Sequence, residues 1–179
     1  MRARTALPLL VVTVLCAAGP RDAVAQTTPY AGGGASFPTG EFGEYADTGW
    51  QVAGGVLFPI SDTGLAVGGE AFHSSNERKP DATGITYNLA LGLVAVLRYG
   101  FATFGSVTPY VSGGAGLHYL STRGGDGSVD IPFGYQLGAG LSFRLAANTA
   151  VFVEGRYTAD SMLGYYGLIG GLSFPLGDD

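Results

Sequence analysis

The stretch TPYVSGGAGLHYL (residues 108–120) decides the fold. Every second residue places Val111, Gly113, Ala115, Leu117 and Tyr119 on one face, and Tyr110, Ser112, Gly114, Gly116 and His118 on the other. Alternation sustained over such a length has the period of a strand. One face is apolar, and the other is built from small and polar groups. A soluble sandwich does the reverse, burying bulk and showing polar groups to water. The stretch fits a long strand with hydrocarbon outside and a narrow polar interior.

The N-terminal residues point to the same place. Arg2 and Arg4 form a short basic region, residues 7–18 are apolar, Pro20 breaks the run, and Ala23-Val24-Ala25 carries the small-x-small pattern of a cleavage site. This is the layout of a secretory signal peptide, shorter than the roughly 20 apolar residues of a spanning helix. The expected organisation is a leader over residues 1–25 and one domain over 26–179. Cys16 does not mark a lipoprotein, because Thr13-Val14-Leu15 before it lacks the small residues such a site needs. A cut after Ala25 leaves no cysteine, hence no disulfide and no thiolate chemistry.

Composition narrows the class. Losing Arg2, Arg4, Arg21 and Asp22 takes the formal charge from −5 to −7, and an acidic chain is poorly suited to nucleic acid. Only 13% of residues are charged, 31 are glycine, and mean hydropathy is positive. No apolar run after the leader is long enough for a transmembrane helix.

Eight period-two segments follow one another at residues 29–37, 49–58, 65–73, 86–99, 108–120, 132–145, 150–158 and 165–176. They match the 9–11 residues a tilted transmembrane strand requires. The connections after even-numbered segments are tight or apolar. Those after odd-numbered ones are polar and mostly long, and such alternation belongs to an up-and-down meander with short periplasmic turns and longer outer loops. The predicted fold is an all-β, eight-stranded antiparallel transmembrane β-barrel with periplasmic termini. Backbone groups in lipid must pair internally, so the sheet must close. Phe58, Tyr99, Phe143 and Phe174 at one set of strand ends, and Trp50, Tyr87, Tyr119, Phe133 and Tyr166 at the other, are expected at the two membrane–water interfaces.

The motifs TPYVSGGAGLHYL, FGYQLGAGLSFRL (residues 133–145) and VFVEGRY (residues 151–157) resemble the OmpA-like and OmpX-like group of small outer-membrane β-barrels. The resemblance covers essentially the whole chain after the leader. It implies a cell-envelope protein in contact with outer-membrane lipid and lipopolysaccharide, inserted by the barrel-assembly machinery, and monomeric. The C-terminal Gly171-Leu172-Ser173-Phe174-Pro175-Leu176 resembles the family's assembly signal, with Ile169 in place of a polar residue and Gly177-Asp178-Asp179 trailing.

Three functional readings remain. Inward parity places Glu70, Arg98, His118, Arg144, Glu154 and Arg156 in the lumen, with Arg98 and Arg144 near the periplasmic mouth and His118 near the outer one. Glu70 and Glu154 lie at similar depth with Arg156 one step above, so a central ion-paired cluster is expected, because buried charges must be paired. The first reading is a structural or surface-interaction protein that displays its outer loops. The second, which the resemblance permits, uses the cluster as the gate of a narrow ion or small-solute channel. The third is a lipid A-modifying enzyme. His73-x-Ser75-Asn76 is similar to the His-x-Ser-Asn piece of lipid A 3-O-deacylases, which implies His73 as base, Ser75 as nucleophile and Glu77 or Asp81 as orienting acid. In that family the motif follows a Glu-x-Arg-Tyr-like stretch, and after Glu154-Gly155-Arg156-Tyr157 this chain has Ala159 in the histidine's place. The non-enzymatic reading is preferred, without cofactor or metal: His118 has no neighbouring ligand in sequence, and the acidic positions Glu41, Glu44, Asp47, Asp126 and Asp130 lack a calcium-loop spacing. The glycine runs open no helix, so they are read as close backbone packing and not as phosphate cradles.

Overall fold

The computed structural model describes residues 27–80, 86–123 and 129–176. Asp81, Asp126 and the expected leader lie outside them. Eight long strands follow the alternating segments: β1 (Thr28–Pro38), β2 (Gly49–Pro59), β3 (Leu65–Ser75), β4 (Thr86–Gly100), β5 (Val107–Arg123), β6 (Phe133–Ala146), β7 (Thr149–Ala159) and β8 (Gly164–Ser173). Each pairs antiparallel with the next, and a two-residue strand, Val129–Asp130, adds to the end of β5. The first and last strands also pair antiparallel, closing the barrel. No sheet edge is left between the eight, which is the condition for crossing hydrocarbon with strands. Among the described residues no helix is long and apolar enough to cross a membrane.

The two faces separate as the alternation predicts. Leu93, Leu97, Leu137 and Leu168 point outward and are half or more exposed, while Gln51, Glu70, Gln136, Glu154 and Arg156 point inward and are buried. Apolar bulk fills much of the lumen as well, through Tyr30, Leu57, Phe72, Val94, Val96, Tyr110, Phe152 and Ile169. The barrel is therefore packed inside, as expected for eight strands.

Glycines make that packing possible. A Cβ added at Gly92 would collide with the Phe72 ring, at Gly134 with the His118 ring, at Gly140 with the Tyr110 ring, and at Gly167 with the Gln51 amide. Each of these large inward side chains lies over a bare patch of backbone. Glycines also line the closing seam, where Gly32 faces Gly171 and Gly33 faces Gly170. Gly64 (φ 78°) and Gly105 (φ 65°) instead serve the tight β2–β3 and β4–β5 turns, in a region L-residues avoid.

At the opposite, long-loop end the segment between β1 and β2 is not a plain loop. It holds a six-residue helix, α1 (Gly40–Tyr45), whose Phe42 is buried. Ala46, Leu120 and Leu163 are buried at this end too. The start of the β3–β4 connection straps α1 in place: Asp47 N–H donates to Glu77 O (2.8 Å), Lys79 N–H to Tyr45 O (3.0 Å) and Lys79 Nζ to Gly43 O (2.6 Å). Thr39 N–H donates to Gly164 O (2.8 Å), tying the helix to β8. The result is a cap across the mouth.

Candidate functional site

The cluster is assembled from strands that are not all neighbours. Glu70 comes from β3, Arg98 from β4, Gln136 from β6, and Glu154 and Arg156 from β7, with Tyr30 reaching across from β1. Glu154 and Arg156 share a face because they are two apart on one strand. The Arg156 guanidinium lies between the two carboxylates. Its Nη1 donates to Glu70 Oε1 at 2.6 Å and its Nη2 to Glu70 Oε2 at 3.1 Å, a two-pronged contact. Its Nε donates to Glu154 Oε1 at 2.8 Å, and Nη2 lies 2.7 Å from the same oxygen.

Neutral groups complete the shell. Tyr30 Oη donates to Glu70 Oε2 (2.8 Å), and Gln136 Nε2 donates to Glu70 Oε1 (2.9 Å). Gln136 Oε1 accepts from Arg156 Nη1 at 3.3 Å. Arg98 is held differently. Its guanidinium carbon sits 4.3 Å from the Tyr110 ring centroid and 5.1 Å from that of Tyr30, and its Nη2 is 3.6 Å from Glu154 Oε2. Tyrosine rings stabilise this cation through their faces. Two carboxylates and two guanidiniums sum to zero charge, so the cluster carries no net charge.

Satisfaction is uneven. Glu70 accepts from three different side chains, whereas Glu154 Oε2, Arg98 Nε and the Tyr110 hydroxyl have no hydrogen bond of good geometry among the described residues. The Tyr110 hydroxyl nonetheless lies beside the Glu154 carboxylate. Arg156 is thus the fixed cation and Arg98 the loosely held one.

Two positions of the expected lumen set stand apart from the ion-paired cluster. Arg144 is exposed and joins none of these pairs. Its parity is inward, but it lies two residues from the end of β6 at a bulge, where a long side chain reaches water. His118 is buried but does not touch the cluster's charges. Its Nδ1 lies 2.8 Å from Asp160 Oδ2, and its ring meets Phe72 edge-on at 5.4 Å. A carboxylate only accepts, so Nδ1 carries the proton of that contact. Asp160, at the mouth after β7, has no signal in the sequence because its partner is two strands away. Gln136 is legible there only as an inward-facing residue, and Tyr30 only as part of the first alternating segment.

His73 and Ser75 lie on the outward face of β3, opposite Val52 and Trp50 of β2. The His73 ring meets that of Trp50 at 5.0 Å between centroids, tilted by 52°. The expected interface aromatics Trp50, Phe58, Tyr99, Tyr119, Phe133, Tyr166 and Phe174 are all exposed on the outward face, and Phe143 is half-buried. The Tyr87 side chain lies outside the described residues. Among the described residues no three His, Cys, Asp or Glu side chains are arranged to hold a metal ion.

A closed eight-stranded barrel with an apolar outer band and an ion-paired interior cluster defines a transmembrane β-barrel of the outer-membrane class. The outer membrane protein beta-barrel domain matches residues 7–171, and the chain belongs to that family. Solved structures share the fold. Neisserial surface protein A is 18% identical, with 84% of this chain and 97% of that chain covered and a TM-score of 0.69. The N-terminal barrel domain of Pseudomonas aeruginosa OprF is 15% identical, with coverage of 83% and 96% and a TM-score of 0.59. Ail of Yersinia pestis, crystallised with the heparin analogue sucrose octasulfate, is 14% identical, with coverage of 83% and 96% and a TM-score of 0.52. No curated protein sequence matches the chain.

Proposed function

We propose that this protein is a non-conducting, non-enzymatic outer-membrane barrel whose work is done at the surface, by the loops and cap at its long-loop end. One observation carries the reading: Arg156 bridges Glu70 and Glu154 across the lumen at 2.6 and 2.7 Å. A buried guanidinium held by two carboxylates is costly to displace, and bulky apolar groups fill the levels around it. A pore would need a wet path past this level. In the same reading the leader is removed on export, the termini face the periplasm, and the barrel is a monomer inserted by the barrel-assembly machinery. Its outward band meets outer-membrane lipid and lipopolysaccharide.

The test is conductance of the refolded barrel in a planar bilayer, with folding established by a heat-dependent gel shift. A silent barrel is expected. Steady openings that change amplitude when Arg156 is replaced by Met would overturn the reading in favour of a gated channel. Unchanged lipid A composition on expression of Ser75→Ala, relative to the intact protein, is the corresponding expectation for the absence of lipid chemistry. A difference would make His73 and Ser75 an active pair.

A further inference from the structure

Between the ion-paired cluster and the cap the lumen is polar but incompletely satisfied. The Tyr165 hydroxyl lies beside Ser74 and Thr158 without a hydrogen bond of good geometry to either. Thr158 Oγ1 and His118 Nε2 are likewise buried and have no hydrogen-bond partner among the described residues. Burying such groups without partners is unfavourable. Phe42, Ala46 and Leu163 are buried at this end of the barrel, and the 77–79 strap holds α1 from the β3 side.

Asp160 supplies a second fastening, on the side between β7 and β8. One carboxylate oxygen accepts from the Met162 and Leu163 amides at 2.7 and 2.9 Å, and Asp160 N–H donates to Leu163 O at 3.0 Å, which sets the turn that buries Leu163. The other oxygen is held by His118 from β5. The adjacent Gly164 carbonyl accepts from Thr39, at the start of α1. A continuous chain of contacts therefore runs from a lumen histidine through one carboxylate to the helix at the mouth.

We propose that α1 and the 160–163 turn form a lid over a hydrogen-bonding recess in the lumen, and that the His118–Asp160 pair is its latch. The recess lies on the lid's side of the cluster, so opening the lid exposes Ser74, Thr158 and Tyr165 without breaking the Arg156 ion pairs. The proposal goes beyond the surface role and stands independently of it.

The experiment places a cysteine at Ser74 in a Cys16→Ser background and follows alkylation by a small polar maleimide in the refolded barrel, with Thr48→Cys as an exposed control. Alkylation of Ser74→Cys is expected to be at least tenfold slower than the control, and to rise at least tenfold when Asp160→Ala is added. His118→Ala should have the same effect. His118→Asn, whose amide replaces Nδ1 as donor, should keep the reaction slow. A rate equal to the control without any latch substitution, or no change with Asp160→Ala, overturns the lid. Equal acceleration by His118→Ala and His118→Asn overturns the latch. Should neither latch variant fold, amide exchange of Met162 and Leu163 in the unmodified barrel decides. Protection as deep as that of strand amides supports a latched turn, and exchange at loop rates overturns it.

Discussion

Arg156 is the residue whose removal the fold tolerates least. Taking away its guanidinium leaves two buried carboxylates facing each other with one loosely held cation nearby. Arg156→Met should destabilise the barrel by about 3–5 kcal/mol in urea titrations. Combining it with Glu70→Gln should cost less than the two single losses together, since the partners form one network. Glycines give a second, finer contrast. At Gly134 an added methyl meets the His118 imidazole, whereas at outward-facing Gly155 it meets nothing within 4 Å. Gly134→Ala should lower stability by about 1–3 kcal/mol, and Gly155→Ala should leave it unchanged or raise it slightly, which the same titrations would resolve. Parity and depth along the strands are enough to make Glu70, Glu154 and Arg156 legible in the sequence as a set. The same count puts Arg144 at the mouth but not outside the network, because parity gives a direction and says nothing of how far a long side chain escapes near a strand end.

At the scale of elements, the strands are legible because each keeps its alternation for nine or more residues. Their ends differ from the alternating segments by only a residue or a few; β8 stops at Ser173, and Leu176 makes an isolated bridge to Thr27. The helix α1 is not legible. GEFGEY is too short to show a helical period, contains two glycines, and gets no side-chain hydrogen bond from Thr39 at its N-cap. Its shape comes from tertiary contacts, Phe42 below and Lys79 beside it, and local preference gives way to them. Phe42→Ala should therefore uncouple the cap from the barrel. Limited proteolysis should cut within residues 40–47 at least several times faster, while the heat-dependent gel shift of the strands persists. Cleavage at the original rate would show that α1 is held by its hydrogen bonds and not by Phe42.

Taken as a whole, the molecule inverts the usual arrangement of a soluble protein, with Leu and aromatic side chains outside and its paired charges within. That inversion ties stability to surroundings, since the outward band is stabilised only when removed from water. Trp50 reports it directly. It is the chain's one tryptophan, 52% exposed on the outward face near a strand end. In lipid vesicles its emission should shift to the blue and be quenched by lipids brominated near the headgroup. Water-like emission from a folded, vesicle-bound barrel would place β2 outside the bilayer. What the whole-chain pattern leaves open is role, because the readable signal is imposed by the membrane and the loops carry little pattern of their own.

The seam between β1 and β8 has a consequence in time. Its strands lie at opposite ends of the sequence and meet glycine to glycine at Gly32–Gly171 and Gly33–Gly170. The six other strands join along hairpins to near neighbours in the chain, while this junction must wait until all are in place. With so few side chains to interlock there, two growing edges can slide past one another until the ladder of amides clicks into register. Assembly thus has a last step with its own address. In hydrogen exchange under mild denaturant, the amides of Gly32–Gly34 should be released before those of β5 and β6, and simultaneous release would show that no such weak line exists.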